Sequence, residues 1–279
     1  MTRHHYSCPM RWGDMDAQGH VNNAAFLDYL QEGRVDFLLS GPPEMGQLLE
    51  TGVLVVGHQV EYLAPVVFSE RPLRLELWVD EVGASRFAIG YEVWDGDVLA
   101  ARARTTATPF DLAAGALRRL NEVERRCLTA AMDAAVPLRE LARVPVAEPA
   151  HRYRLAVRWS DLDSYGHVNN VKFYDYIQEA RIAVMVATLH WRPEDRWVVA
   201  RQDLEYRRPV DFRPAPYEVR TCVTALGRRS FTLAAEIRDP DDGMVFATAR
   251  TVVVGRSPLA GEERAALARW AVPDVGDPH

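Results

Sequence analysis

Residues 11–34 read RWGDMDAQGHVNNAAFLDYLQEGR, and residues 158–181 read RWSDLDSYGHVNNVKFYDYIQEAR. Fifteen of these 24 positions are identical at a fixed offset of 147, and self-similarity at a long fixed period means repeated structural units. The match spreads outward from this core. Upstream, His4 and Tyr6 correspond to His151 and Tyr153. Downstream, EYLAP from Glu61 corresponds to EYRRP from Glu205, Gly83 and Phe87 to Gly227 and Phe231, and ARART at Thr105 to ATART at Thr251. The units close on LNEVER from Leu120 and LAGEER from Leu259. The 279 residues therefore read as two copies of one fold. A first unit with a trailing helix covers residues 1–135, a Pro/Ala-rich linker 136–150, and a second unit with a C-terminal helix 151–279.

Inside each copy the hydrophobic period assigns the elements. A short alternating strand ends at Arg11-Trp12 and again at Arg158-Trp159. The stripe Phe26, Leu30, Gly33, Phe37, repeated as Phe173, Ile177, Ala180, Val184, predicts a helix from about Asn22 to Leu39 and its counterpart. Asn22 and Asn169 are N-cap candidates, because an Asn side-chain oxygen accepts an orphan backbone N–H. Small residues at Gly33 and Ala180 let the helix lie close against a sheet. VLVVGHQVEYLAPV, RPLRLELWVDEV, RFAIGYEVWD and VLAARARTTATPF then read as strands, with turns at Asp95 and Asp239. The fold class is α+β, an antiparallel sheet packed on one long helix, twice. A charged helix from about Leu117 to Ala134 follows the first unit. Trp191 and Trp197 flank an RPEDR loop suited to a pocket rim or an interface.

Composition excludes several function classes. A 48% hydrophobic, 26% charged chain builds cores, and a net charge of −6 supplies no basic field for nucleic acid. The apolar run at Val53–Val56 is too short to span a bilayer, and MTRHHYSCPM carries no apolar signal region. Cys8, Cys127 and Cys222 share no metal-like spacing and cannot all pair, which points to a reducing, cytoplasmic setting. With no Gly-rich phosphate loop, HExxH or CxxC motif, neither a metal nor a nucleotide cofactor is expected.

The chemistry concentrates in D-x-D-x-x-G-H-V-N-N: Asp14, Asp16, Gly19, His20, Asn22 and Asn23, then Asp161, Asp163, Gly166, His167, Asn169 and Asn170. A carboxylate and an imidazole four residues apart stand just before a helix N-terminus. Unsatisfied backbone N–H groups and the positive end of the helix dipole favour negative charge there. A carboxylate can attack or activate water while such N–H groups hold a carbonyl oxygen as it becomes an oxyanion. Each donor is worth about 3–4 kcal/mol in the transition state. Asp14 and Asp161 are read as partners of Arg11 and Arg158. Gln59, Glu61 and Tyr62, with Gln202, Glu205 and Tyr206, lie where the strand after the helix could contact substrate, and Asn22 and Asn169 are substrate-binding candidates beside their capping role. Arg71, Arg207, Arg208 and Arg213 are candidates for phosphate contacts.

At these residues the sequence resembles the hotdog-fold thioesterases, in particular the 4-hydroxybenzoyl-CoA thioesterase-like branch of acyl-CoA hydrolases. It is also similar to the plant-type acyl-ACP thioesterases, which carry two hotdog units in one chain. The resemblance implies a sheet wrapped around a long helix and two units packed as a pseudo-dimer, with active sites at the seam. It implies a catalytic carboxylate at Asp16 and Asp163, a carbonyl-polarising backbone N–H at Asn23 and Asn170, one residue into each helix, and assistance from His20 and His167. Where the acyl-ACP enzymes have Asn between the Asp and the His, this chain has Gln18 and Tyr165, which favours acyl-CoA. The expected activity is hydrolysis of acyl-CoA to free acid and CoA, without metal or redox cofactor. The acyl-CoA is the partner, an acyl-carrier protein is an alternative, and further homo-oligomerisation stays open. Three other readings stay open: an acyl-ACP thioesterase, a hotdog enoyl-CoA hydratase or dehydratase, and a non-catalytic acyl-CoA binding protein. The hydratases carry D-x-N-P-x-H, and neither copy has that Asn-Pro.

Overall fold

The computed structural model describes residues 3–189 and 197–276, so Trp191 and the RPEDR loop lie outside the described residues. The chain forms two compact units, Met1–Arg139 and Glu140–His279. In the first, β1 (His4–Cys8) leads through a 3-10 turn at Trp12–Asp14 to α1 (Ala25–Ser40) and α2 (Pro43–Thr51). Then come β2 (Val53–Tyr62), β3 (Leu73–Val82), β4 (Phe87–Asp95), β5 (Val98–Asp111), a two-residue β6 (Ala116–Leu117) and α3 (Glu122–Ala130). The main strands run in the order β1-β3-β4-β5-β2, all neighbours antiparallel.

The second unit repeats the plan. β7 (His151–Leu155) and a 3-10 turn at Trp159–Asp161 precede α4 (Lys172–Leu189). β8 (Trp197–Tyr206), β9 (Tyr217–Leu226), β10 (Ser230–Arg238), β11 (Val245–Gly255), α5 (Gly261–Ala268) and β12 (Ala271–Gly276) follow. The order is β7-β9-β10-β11-β8, antiparallel throughout, with β12 parallel beside β9. The first unit has the same closing contact in reduced form, a parallel bridge from Val79 to Met132. A long helix laid on an antiparallel sheet, twice in one chain, is the double-hotdog architecture that the resemblance implied.

The helix stripe does what its period predicts. Phe26, Leu27, Leu30, Phe37 and Leu38 of α1 are buried, as are Phe173, Ile177, Val184 and Met185 of α4. Each such side chain contributes about 1.5–3 kcal/mol of burial. Gly33 sits where the helix presses on the sheet. A Cβ there would lie 3.0 Å from Leu75 Cδ2 and 3.5 Å from Leu77 Cδ2 and the Tyr6 ring.

Four boundaries differ from the sequence reading. The long helices begin at Ala25 and Lys172, three residues after the asparagines. Asn22 caps a turn that precedes the helix: its Oδ1 accepts the Ala24 N–H at 2.8 Å and its carbonyl the Ala25 N–H at 3.0 Å. Asn169 does the same with Val171 at 3.2 Å and Lys172 at 3.0 Å. α2 was not anticipated, although Pro43 inside its start and Gly52 just past its end, at φ 122°, are helix punctuation. α3 is shorter than the predicted Leu117–Ala134 because Asn121 caps it, accepting N–H bonds from Val123 and Glu124 at 2.9 Å each. Finally, the stretch read as a linker is packed rather than loose. Val144 and Val146 lie against buried Ala150, Cys222, Ala234 and Val272, and the Leu141 carbonyl accepts from Arg250.

One buried carboxylate in each unit ties the 3-10 turn to the helix. Asp14 accepts the Tyr29 hydroxyl at 2.7 Å, the Arg11 backbone N–H at 2.9 Å and Arg11 Nε at 3.1 Å. Asp161 accepts the Tyr176 hydroxyl at 2.6 Å and the Arg158 N–H at 2.8 Å. Burial pushes the Asp14 carboxyl upward, but the hydrogen bonds from Tyr29 and Arg11 outweigh it and hold it below the usual carboxylate range. Such a group stabilises the fold above its unfolded value of about 3.9, and that contribution is lost as pH falls through the folded value.

Asp14→Asn is therefore expected to cost about 1–3 kcal/mol at neutral pH. The gap between wild type and variant closes as urea titrations are moved down through pH 4 toward pH 3; a gap independent of pH would refute the charge-based account. Gly33→Ala, which installs what the second unit has at Ala180, is expected to be near neutral in thermal unfolding. Gly33→Leu is expected to destabilise by at least about 1–3 kcal/mol through overpacking against Leu75.

Candidate active site

Between each 3-10 turn and its helix the chain makes a tight loop whose own backbone closes it. Asp16 N–H donates to the His20 carbonyl at 2.8 Å, and Gly19 N–H to the Asp16 carbonyl at 3.0 Å. The corresponding bonds at Asp163, His167 and Gly166 are 2.9 and 3.0 Å. Gly19 and Gly166 have φ of 78° and 81°, a left-handed conformation that costs side-chain-bearing residues strain. The loop is fastened at its far end by the Val21 N–H to the Val66 carbonyl at 2.7 Å, and by Val168 to Val210 at 3.0 Å.

The loop fixes the second aspartate by one oxygen. Asp16 Oδ1 accepts the Gln18 N–H at 2.8 Å and the His20 N–H at 3.4 Å; Asp163 Oδ1 accepts the Tyr165 N–H at 2.9 Å. Among the described residues the other oxygen of each half-buried carboxylate has no protein partner. The two aspartates of the motif thus have different work, the first wholly engaged inside the fold and the second half available. The histidines enter the loop through their backbones. No hydrogen bond joins the imidazole of His20 or His167 to the carboxylate of Asp16 or Asp163 among the described residues; His167 Nε2 lies 3.7 Å from Asp211 instead.

Asn23 and Asn170 do not lie one residue into the helices as expected. They sit in the turn just before them, because Asn22 and Asn169 complete a cap before helical geometry begins. The Tyr62 hydroxyl donates to the Asn23 carbonyl at 2.7 Å, and that of Tyr206 to the Asn170 carbonyl at 2.6 Å. Each tyrosine ring meets a helix phenylalanine edge to face, Phe26 at 5.3 Å and Phe173 at 5.0 Å.

Strand alternation sorts the remaining candidates. Tyr62 and Tyr206 face the helix, so His58 and Val60, and Gln202 and Leu204, share that face. Gln59, Glu61 and Glu205 alternate to the opposite face of their strands. Glu205 is held there by Arg250 at 3.0 Å and Arg143 at 3.4 Å, next to a buried Arg201–Asp203 pair at 2.5 Å. Counting back from Glu61 and Glu205, Gln202 is the counterpart of His58, not of Gln59. His58 was missed in the sequence; it is 1% exposed, with Nδ1 3.0 Å from the Thr105 hydroxyl. Parity with Tyr62 was the signal that could have found it.

Cys8 is buried, and burial pushes its thiol up to about 12, away from the thiolate form. Of the four arginines considered for phosphates, Arg71 pairs with Asp95 at 2.6 Å and Arg213 with Asp239 at 2.5 Å. Arg207 and Arg208 are exposed and form no ion pair among the described residues, and the first unit has Leu63 and Ala64 in their place. Among the described residues no group of three His, Cys, Asp or Glu side chains is arranged to hold a metal ion.

Comparison with known proteins agrees with this architecture. A search of curated proteins finds none that matches. A 12:0-ACP thioesterase from Umbellularia californica superposes with a TM-score of 0.71 at 17% identity, over 91% of this chain and 97% of its own. An acyl-ACP thioesterase from Bacteroides thetaiotaomicron gives 0.67 at 15% identity, over 90% and 97%. These likenesses establish the fold along nearly the whole chain. The profile of the thioesterase-like superfamily matches residues 10–146 and 157–257, one stretch for each repeat. The chain belongs to the thioesterase-like superfamily and is a thioester hydrolase.

Proposed function

We propose that the chain hydrolyses acyl-CoA thioesters as a cytoplasmic enzyme, with Asp16 and Asp163 as the catalytic carboxylates. The observation that carries this reading is the state of those side chains. In both units the loop pins one carboxylate oxygen and leaves the other open, directly before the turn that starts the long helix. The open oxygen activates water or attacks the thioester carbon. The carbonyl oxygen develops charge against the N–H of Asn23 or Asn170, helped by the positive helix end. The bond from acyl carbon to sulfur breaks, CoA leaves as the thiol, and His20 or His167 carries the proton it needs. Water supplies the oxygen of the free acid. Every step is a proton transfer, an addition at a carbonyl or expulsion of the thiol, so no metal or redox cofactor is required.

Arg207 and Arg208, exposed and without an ion pair among the described residues, shortly before the Val210 that fastens the second loop, favour the phosphates of CoA. Gln18 and Tyr165, in place of the Asn of the carrier-protein enzymes, point the same way. The carrier-protein substrate is the second reading, supported by the double-unit likeness to the 12:0-ACP thioesterase.

Thiol release is to be measured from short, long and aromatic acyl-CoAs and from acyl-carrier protein, with wild type, Asp16→Ala, Asp163→Ala and the double variant. Wild type is expected to turn over acyl-CoA, and the double variant to lose at least about 10²–10³-fold in kcat. The single variants then report what each unit contributes. Release from the carrier protein alone would replace CoA by the second reading. Hydration of crotonyl-CoA, or tight binding of unconsumed acyl-CoA, would move a hydratase or a binding protein to the front.

A further inference from the structure

Tyr62 and Tyr206 stand on the helix face of the strand that follows, where a hydroxyl could touch substrate. Their hydroxyls are instead committed to main chain, at the same place in both units: the carbonyls of Asn23 and Asn170, at 2.7 and 2.6 Å. The peptides on either side of that residue are held at three polar atoms. The Asn22–Asn23 peptide, whose N–H is the proposed oxyanion donor, has its carbonyl bound by the Ala25 N–H at 3.0 Å. The Asn23–Ala24 peptide has its N–H bound by Asn22 Oδ1 at 2.8 Å and its carbonyl by Tyr62. In the second unit Lys172 N–H, Asn169 Oδ1 and Tyr206 occupy the same three roles, at 3.0, 3.2 and 2.6 Å. Two planes anchored in this way fix both backbone dihedrals of the residue between them. The direction of its N–H is thereby set before any substrate arrives.

We infer that Tyr62 and Tyr206 are positioning residues for the oxyanion donor, acting through the main chain of Asn23 and Asn170 rather than on the substrate. The inference rests on the thioesterase reading above and adds to it the group that pre-aims its electrophilic site. Preorganised donors are effective because they need not reorient as charge develops. A donor left free to swing loses that advantage while ground-state binding of the acyl-CoA, which depends on other contacts, is kept. The edge-to-face contacts with Phe26 and Phe173 hold the rings, so Tyr→Phe keeps the packing and removes only the hydroxyl.

The test uses the full chain with one working carboxylate at a time, Tyr62→Phe in Asp163→Ala and Tyr206→Phe in Asp16→Ala. Each is expected to lower kcat by about 10-fold or more, short of the roughly 10²–10³-fold cost of losing a donor. KM should stay within about two-fold, the split that marks an interaction much stronger in the transition state than in the ground state. A spectroscopic readout separates aiming from general loosening. Acyl-CoA with an isotope-labelled thioester carbonyl, bound to Asp16→Ala/Asp163→Ala, should show its carbonyl stretch lowered relative to free substrate. Adding both Tyr→Phe changes should move the stretch back toward the free value. Wild type that releases no thiol removes the thioesterase reading and this inference with it. An active wild type whose Tyr→Phe variants keep kcat, or keep the lowered stretch, overturns the positioning role alone.

Discussion

A buried carboxylate cannot be solvated by water, so it collects donors from the protein, and here those donors come from different elements. Asp14 draws the Arg11 end of the 3-10 turn and the Tyr29 hydroxyl from the second turn of the helix onto one side chain. Its carbonyl meanwhile takes the Asn22 N–H at 2.8 Å. Entry to the loop, exit from it and the body of the helix are joined at one residue. Asp161 repeats the junction with Arg158, Tyr176 and Asn169. The path of the loop, the onset of the helix and the location of Asp16 and Asp163 follow from that junction. Leaving such a carboxylate without its partners would cost several kcal/mol, which makes the alternative loop paths expensive.

The two aspartates of each motif show how environment divides labour between identical side chains. The first is enclosed and satisfied; the second is half-buried, fixed by the loop's own N–H groups at one oxygen and open at the other. Gly19 and Gly166 permit the tight return that makes this possible. What the loop presents is one carboxylate oxygen without a partner among the described residues, close to the positive end of a long helix.

Much of this was legible in the residues. Repetition of the 24-residue stretch gave the two units, and the stripes from Phe26 and Phe173 gave the helices. The motif's spacing located the loop. What escaped has definite physical causes. The helix starts moved because an Asx turn at Asn22 satisfies the same donors as a direct cap, and both produce the same letters. α2 escaped because nine residues present too few periods of apolar pattern, although its proline and glycine marked the ends. Gln59, Glu61 and Glu205 were grouped with Tyr62 and Tyr206 by nearness in sequence, whereas a strand separates neighbours to opposite faces. Parity separates them from the tyrosines and sets His58 on the face of Tyr62. The commitment of the tyrosine hydroxyls to carbonyls of the turn could not be read at all, since a main-chain acceptor leaves no mark on the sequence.

That last feature bears on how the two halves have diverged. The groups that fix Asn23 and Asn170 are one backbone N–H, of Ala25 or Lys172, and two side chains that both halves keep, Asn22 with Tyr62 and Asn169 with Tyr206. Ala17 and Gln18 against Ser164 and Tyr165, or Ala25 against Lys172, change the surface offered around each carboxylate without touching the bonds that shape the loop. Duplication therefore left the protein with a frame of main-chain bonds and a few side chains kept in both halves, and a lining of other side chains that differs between them. The two halves can drift toward different ligands without either having to rebuild its frame.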